Sequence, residues 1–154
     1  MSVEIERKFL VRGSGWKTLG QGVAIRQGYL STNPDRVVRV RIEDNEATLT
    51  IKGRTNGITR GEWEYAIPLA EADQLLNDLC ERPLIEKTRT RILYEGMTWE
   101  VDEFFGDNLG LVVAEIELEN EEQAFSKPDW IAEEVTDDAR YFNANLLRNP
   151  FSDW

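Results

Sequence analysis

Polar and apolar residues alternate with a period of two along much of this chain, which is the spacing of side chains on a β-strand. The run from residue 4 to residue 11 shows the pattern most clearly. One face carries Glu4, Glu6 and Lys8, and the other carries Ile5, Arg7, Phe9 and Val11. A solvated strand face usually holds neutral polar residues as well. A row of two carboxylates and one ammonium therefore becomes informative if later strands repeat it.

The alternation predicts about eight strands, and the short turns between them indicate a mostly antiparallel sheet. The predicted strands cover residues 4–11, 23–30, 36–43, 46–52, 62–68, 84–94, 97–105 and 111–119. Segment 70–81 has leucines at helical spacing and predicts an amphipathic helix that ends before Pro83. Beyond residue 120 the composition predicts short helices at 121–125, from about 128, and at 143–147, whereas segment 53–61 predicts a loop.

Charged residues recur on one face of nearly every predicted strand, and they are sorted by sign. Some strands carry Arg-x-Arg or Lys-x-Arg, and others carry Glu-x-Glu or Glu-x-Asp. If the apolar faces pack outward and the sheet curls, the charges point into one interior, and a barrel of about eight strands has room for a small ligand. A sheet with one solvated face is the alternative on pattern alone, but sorting by sign favours two subsites in an enclosed space.

Length and composition narrow the class of protein. The 154 residues predict a single domain, 1–154, with a core of its own. The net charge of -11 argues against a nucleic-acid or anionic-membrane surface. The chain contains no apolar run of membrane-spanning length and no signal-peptide pattern, which predicts a cytoplasmic protein.

Histidine is absent from the chain, and Cys80 is the single cysteine. Histidine zinc sites, Ser-His-Asp triads and histidine general bases are therefore excluded. Cys80 is interpreted as a structural thiol on the predicted helix. Any metal must be held by oxygen ligands, which favours Mg2+, Mn2+ or Ca2+.

A ligand that satisfies both charge types must carry anionic groups and divalent cations together. Arginine gives paired hydrogen bonds to phosphate oxygens, and carboxylates bind hard cations. A phosphate chain with bound magnesium presents both features. The chemistry that follows is metal-assisted phosphoryl transfer to water.

The ordered set of charged pairs resembles the CYTH superfamily, also called the triphosphate tunnel metalloenzymes. Glu4-x-Glu6-x-Lys8 is similar to its N-terminal signature, and the similarity extends over nearly the whole chain. The further matching positions are Arg39, Arg41, Lys52, Glu62, Glu64, Lys87, Arg89, Asp102, Glu115 and Glu117. The resemblance implies an α+β fold in which an eight-stranded antiparallel β-barrel forms a tunnel, with helices packed outside.

The resemblance also implies roles for these residues. Phosphate would be bound by Lys8, Arg39, Arg41, Lys52, Lys87 and Arg89. Mg2+ or Mn2+, or their waters, would be held by Glu4, Glu6, Glu62, Glu64, Asp102, Glu115 and Glu117. The reaction is expected to be hydrolysis of inorganic triphosphate, with Lys52 and Tyr29 as an open hypothesis for proton transfer. Arg91 and Glu100 are interpreted as salt-bridge partners.

Other functions stay open at this stage. Class IV adenylyl cyclase and thiamine triphosphatase belong to the same family, and both need a place for an organic group. The tryptophans are candidates for base stacking, although core packing is the simpler interpretation. A non-catalytic polyphosphate-binding module and a structural barrel are the alternatives from other classes. A homodimer is permitted by the exposed edges but not required.

Overall fold

The computed structural model describes residues 2–154. Its strands are β1 (Ser2–Val11), β2 (Gly22–Ser31), β3 (Arg36–Glu43), β4 (Glu46–Gly53), β5 (Thr59–Ile67), β6 (Ile85–Tyr94), β7 (Met97–Phe104), β8 (Val112–Glu117) and β9 (Ile131–Glu134). The α-helix is α1 (Leu69–Asp78), and short 3₁₀ helices lie at Gly15–Thr18, Gly106–Asn108, Ala139–Tyr141, Asn143–Leu147 and Phe151–Asp153. No helix within residues 2–154 has the length and apolar character needed to span a membrane.

The sheet closes on itself into an antiparallel barrel of eight strands. Its hydrogen-bonded order is β5-β4-β3-β2-β6-β7-β8-β1, and β1 also pairs with β5, which completes the ring. The closing ladder joins Ser2–Ile5 of β1 to residues 59–62 of β5. The remainder of β1, from Glu6 to Leu10, pairs with β8 on its other side. The predicted eight-stranded antiparallel barrel is therefore confirmed.

The ninth strand corrects the predicted helix near residue 128. β9 pairs with the end of β1 through Phe9 and Val11. Because the ladder to β5 uses only the first residues of β1, this edge would otherwise leave backbone groups unpaired. Ile131 is also 4% exposed and packs in the core, so tertiary pairing overrides the local helical signal.

The structure also differs from the expectation in segments 121–125 and 53–61. Residues 121–125 form a turn and irregular chain and not a helix. In the predicted loop 53–61, Asn56 and Thr59 form an isolated bridge, and β5 begins at Thr59. The predicted helix at Asn143–Leu147 is confirmed, with 3₁₀ geometry.

The apolar core surrounds much of the barrel wall from outside. On one side, Phe9 and Trp99 meet edge to face with ring centroids 5.5 Å apart. On another side, α1 inserts Ala72 and Leu76 against Val40 and Ala47. The apolar faces of the strands are thus covered by the helix and connecting segments, so the charged faces of the same strands point inward.

One end of the barrel interior is apolar. Ile85, Phe104 and Val113 lie on the inward faces of β6, β7 and β8. Each is two residues along its strand from a charged residue on the same face. They pack with Leu146 and Leu147 of the C-terminal 3₁₀ segment. This segment therefore forms an apolar floor beneath the charged part of the interior.

Docking of α1 gives a direct test of this packing. Leu76 is 0% exposed beneath the helix, whereas Leu79, three residues later, is 66% exposed. We expect Leu76→Ala to lower the free energy of unfolding by about 2–5 kcal/mol because it leaves a cavity. The matched control Leu79→Ala should change it by less than about 0.5 kcal/mol. Urea denaturation measures both values, and equal losses would contradict this docking.

Candidate active site

The barrel encloses a cavity of about 640 Å³ lined by charged side chains from most of its strands. All the predicted site residues except Asp102 line it. They are Glu4, Glu6, Lys8, Tyr29, Arg39, Arg41, Lys52, Glu62, Glu64, Lys87, Arg89, Glu115 and Glu117. The volume is in the range of small-ligand sites. The structure therefore brings together side chains that are more than 100 residues apart in the sequence.

Strand register explains why these side chains converge. Lys8 of β1 lies opposite Glu115 of β8, and Arg39 of β3 lies opposite Thr50 of β4. In a closed antiparallel sheet, directly opposed residues share a face, so each such pair points into the same interior. A shift of one residue in any strand would turn its charged row outward.

Two lysines hold the carboxylates of β1. The Lys8 Nζ atom lies 2.7 Å from Glu115 and 3.1 Å from Glu6. The Lys52 Nζ atom lies 2.7 Å from Glu4 and 3.6 Å from Glu62. Each ammonium group thus contacts two carboxylates. This part of the cavity therefore contains more negative than positive groups.

The pKa values follow from this arrangement. Burial raises the pKa of Glu6, and repulsion from Glu115 adds to it; attraction from Lys8 is too weak to compensate, so the value reaches about 8. For Glu4, burial also acts upward, but the attraction of Lys52 prevails and lowers the pKa to about 2. Carboxyl groups so close together therefore do not all ionise readily without a further cation.

Asp102 lies behind the cavity wall and contacts Lys87 and Arg89, two residues that are predicted to bind phosphate. Its carboxylate is 2.7 Å from Lys87 Nζ and accepts two hydrogen bonds from Arg89, of 2.7 and 2.9 Å. Burial opposes ionisation of Asp102, but Lys87 and Arg89 together lower its pKa to about 2. Burial lowers the pKa of Lys87 to about 7, because Arg89 and Arg41 offset much of the attraction from Asp102.

The arginines of β3 have far less carboxylate support. Arg39 donates to the Thr50 hydroxyl at 3.3 Å and lies 3.7 Å from Glu64, and its buried Nε has no hydrogen-bond partner. Arg41 donates through Nε to the neutral amide oxygen of Gln27 at 2.9 Å. Burial and the neighbouring Arg39 lower the pKa of Arg41 to about 10. This part of the cavity therefore carries an excess of positive charge.

Tyr29 and Lys52 both line the cavity but have separate partners. The Tyr29 hydroxyl accepts a hydrogen bond from Gln27 Nε2 at 3.0 Å, whereas Lys52 contacts Glu4. Within residues 2–154 no hydrogen bond joins Tyr29 to Lys52, so their role as a proton-transfer pair stays a prediction. Arg91 and Glu100 form the expected salt bridge at 2.9 Å and also line the cavity.

Several polar residues at the site were missed by sequence reasoning. Gln27 and Thr50 lie on inward faces, and extending the alternation through neutral residues would have found them. Arg60 lines the cavity from β5, in a segment that was predicted as a loop. Asn143 reaches the cavity from the C-terminal 3₁₀ segment, and no periodicity marks it.

The donor set suits a hard divalent cation. Carboxylate oxygens are the ligands that Mg2+ and Mn2+ prefer. Burial raises the pKa of Glu6, and repulsion from Glu115, which Lys8 does not fully offset, adds to this shift. Across residues 2–154 no three acidic side chains are already gathered around one point, because lysines stand between them. A cation would thus take over carboxylates that ammonium groups hold in this structure.

Comparison with known proteins shows consistent similarity. The CYTH domain model matches residues 2–148. The chain is 53% identical to an inorganic triphosphatase of Acetivibrio thermocellus over 100% of its own length and 99% of the relative. It is 39% identical to an inorganic triphosphatase of Nitrosomonas europaea over 93% and 95%. The crystal structure of the inorganic triphosphatase NE1496 superposes with a TM-score of 0.66, at 36% identity over 96% of this chain and 95% of that one.

The raised pKa of Glu6 predicts how stability depends on pH in the metal-free protein. Its folded value of about 8 lies above the ordinary 4.5, so folding takes up a proton between these limits. The contribution of Glu6 to stability is therefore complete below pH 4.5 and is lost as the pH rises through about 8. Glutamine cannot ionise and avoids this loss.

We expect the free energy of unfolding of Glu6→Gln, relative to wild type, to rise by roughly 1–3 kcal/mol between about pH 5 and about pH 8.5. Urea denaturation in EDTA measures it. Glu119→Gln, an exposed glutamate outside the cavity lining, is the matched control for loss of one acidic charge. A Glu6→Gln difference that stays constant with pH would contradict the assignment.

Proposed function

The chain belongs to the CYTH family, and from this premise we propose that it hydrolyses inorganic triphosphate to pyrophosphate and phosphate. The observation that carries the proposal is the enclosed cavity in which arginines and lysines face carboxylates. A compact polyanion is neutralised by the cations, and the carboxylates provide sites for divalent cations that accompany phosphate chains. The substrates of the relatives agree with this chemistry.

The phosphate chain is bound by Lys8, Arg39, Arg41, Lys52, Lys87 and Arg89. The excess positive charge around Arg39 and Arg41 supports this assignment, because these guanidinium groups have weak or no carboxylate partners. Their fixed geometry suits paired hydrogen bonds to phosphate oxygens. Asp102 acts as a positioning residue for Lys87 and Arg89 and not as a direct ligand, since both cations already occupy its oxygens.

Divalent cations, Mg2+ or Mn2+, would be held directly or through their bound waters by the carboxylates that line the cavity: Glu4, Glu6, Glu62, Glu64, Glu115 and Glu117. When bound, such a cation would neutralise developing charge on phosphate oxygens and acidify a water molecule.

The protein groups orient the phosphate chain and receive the proton of the attacking water. Arginine and lysine donors stabilise the equatorial oxygens of the transferred phosphoryl group, as phosphoryl transfer requires. Glu117 lines the cavity and forms no salt bridge within the described part of the chain, so its carboxylate is free to orient water. Partial desolvation raises the pKa of Glu117, and repulsion from the Glu4 carboxylate adds to this shift, which strengthens Glu117 as a proton acceptor.

The absence of tryptophan from the cavity lining favours inorganic triphosphate over a nucleotide. All five tryptophans lie within residues 2–154, and none is among the lining residues. Trp16 and Trp99 are 2% and 0% exposed in the core, as the simpler interpretation of the sequence predicts. The tryptophans considered as candidates for base stacking therefore do not serve that role in this cavity.

The substrate is tested by comparing inorganic triphosphate, ATP and thiamine triphosphate under identical conditions with Mg2+ or Mn2+. We expect inorganic triphosphate to be cleaved with the highest kcat/KM, by at least about tenfold, because a bare phosphate chain fits a cavity lined by charges. EDTA should abolish phosphate release. Formation of cyclic AMP, or tight binding of triphosphate without hydrolysis, would contradict the proposal.

Lys52 gives a test of the site itself. Lys52 contacts Glu4 and Glu62 and lines the cavity. Lys52→Ala therefore removes a cation that binds phosphate in the proposed function and also forms ion pairs with two carboxylates. We expect kcat to fall at least about 100-fold, while divalent-cation binding measured by calorimetry changes much less.

Lys17→Ala is the control, because Lys17 is paired with Glu103 outside the lining residues. It should leave kcat unchanged. Undiminished turnover in Lys52→Ala would remove Lys52 from the mechanism, and with it the hypothesis of proton transfer between Lys52 and Tyr29.

A further inference from the structure

The cations of the cavity are held in two different ways. Lys8, Lys52, Lys87 and Arg89 each contact a carboxylate at 2.7 Å. Arg41 has no carboxylate of residues 2–154 within salt-bridge distance, and the neutral side chain of Gln27 holds its Nε instead. Arg41 is thus a cation that is fixed in place without having its charge compensated.

Gln27 is held in one orientation by its partners. It is 0% exposed, and its Oε1 accepts from Arg41 Nε at 2.9 Å. Its Nε2 donates to the Tyr29 hydroxyl at 3.0 Å and to Asn143 Oδ1 at 3.1 Å. Arginine has donors only, so a reversed amide would place N–H groups against N–H groups. Every polar hydrogen of this amide is therefore used.

A second amide, that of Asn143, links Gln27 to Lys87, whose charge Asp102 compensates at 2.7 Å. Asn143 Oδ1 accepts from Lys87 Nζ at 2.8 Å and from Gln27 Nε2 at 3.1 Å. Asn143 belongs to the 3₁₀ segment Asn143–Leu147, which forms the apolar floor. The two amides thus form a continuous bridge from β3, through β2 and the C-terminal segment, to β6.

A neutral support has a physical consequence that a carboxylate would not have. A carboxylate next to a guanidinium compensates its charge and competes with an incoming anion for the same N–H groups. An amide oxygen satisfies one N–H and leaves the net charge available. The Nη groups of Arg41 make no hydrogen bond to another residue in the described part of the chain, so they are left for a ligand.

We propose that Gln27, itself held by Asn143, is a positioning residue that fixes Arg41 toward the cavity without compensating its charge, so that a phosphate chain supplies the missing negative charge. The proposal rests on the proposed function, since it names how that site gains affinity for its anion. Gln27 itself need not touch the substrate, because it acts through Arg41.

The test compares the triphosphate affinities of two substitutions at Gln27. The proposal and a purely structural role predict opposite orders of affinity for them. Gln27→Glu keeps the shape and an acceptor for Arg41 but adds a negative charge. Gln27→Met keeps the approximate volume but removes all three hydrogen bonds. We expect Gln27→Glu to bind inorganic triphosphate at least about tenfold more weakly than Gln27→Met. A purely structural role predicts the opposite order, because methionine loses more contacts.

Affinity is measured by isothermal titration calorimetry with sodium triphosphate in EDTA, so that turnover does not contribute. The thermal midpoint of each unliganded variant is recorded in parallel. Gln27→Glu should match or exceed Gln27→Met in thermal midpoint while binding the anion more weakly. Equal affinities of the two variants, or weaker binding by Gln27→Met, would overturn the proposal.

Asn143 provides the same comparison at a partly exposed position if the Gln27 variants do not fold. Asn143→Asp should weaken triphosphate binding more than Asn143→Ala, and the reverse order would overturn the proposal. A wild-type protein that binds triphosphate without hydrolysing it refutes the proposed function, while the order of the variants still decides the role of Gln27. A wild-type protein that does not bind triphosphate overturns both.

Discussion

The ladder between the first residues of β1 and residues 59–62 of β5 is the contact on which the site depends. Without it the sheet would be open, and its charged face would lie against water. Closure places the charged rows opposite one another across one cavity, where the effective dielectric constant is lower than in bulk water. The electrostatic attraction within each ion pair of the cavity is then stronger than in a surface pair. Each uncompensated charge favours binding of a ligand of opposite charge.

Closure also inverts the usual arrangement of a globular core. The interior is largely polar, so stability must come from apolar surface outside the barrel wall and from the floor at one end. The helix α1, the aromatic cluster around Trp99 and the C-terminal 3₁₀ segment supply this surface. The C-terminal segment has two tasks, because it buries Leu146 and Leu147 and also carries Asn143 into the cavity.

Alternation in the sequence predicts the barrel and most of the charged residues in the cavity lining because a strand has only two faces. Once Phe9 is assigned to the apolar face, Lys8 must point to the other one, whatever the tertiary details. The same logic fails for β9, whose formation depends on an unpaired edge of β1 that no local pattern reveals. It fails also for Asn143, which reaches the cavity from a short 3₁₀ helix outside the strands, and for Asp102, whose alternation is correct but whose burial behind Lys87 depends on the shape of the wall.

The carboxylates and amides of the site divide the cations by how much of their charge remains available. Lys8 and Lys52 are each shared between two glutamates, so an incoming phosphate must compete with those glutamates for them. Arg41 is held by an amide and offers its charge without such competition. An anion that enters the cavity therefore gains most from the β2–β3 side first, while the carboxylates gather on the β1 and β8 side. The two sides of the cavity therefore differ in available charge, and the two ends of a bound phosphate chain would meet different surroundings.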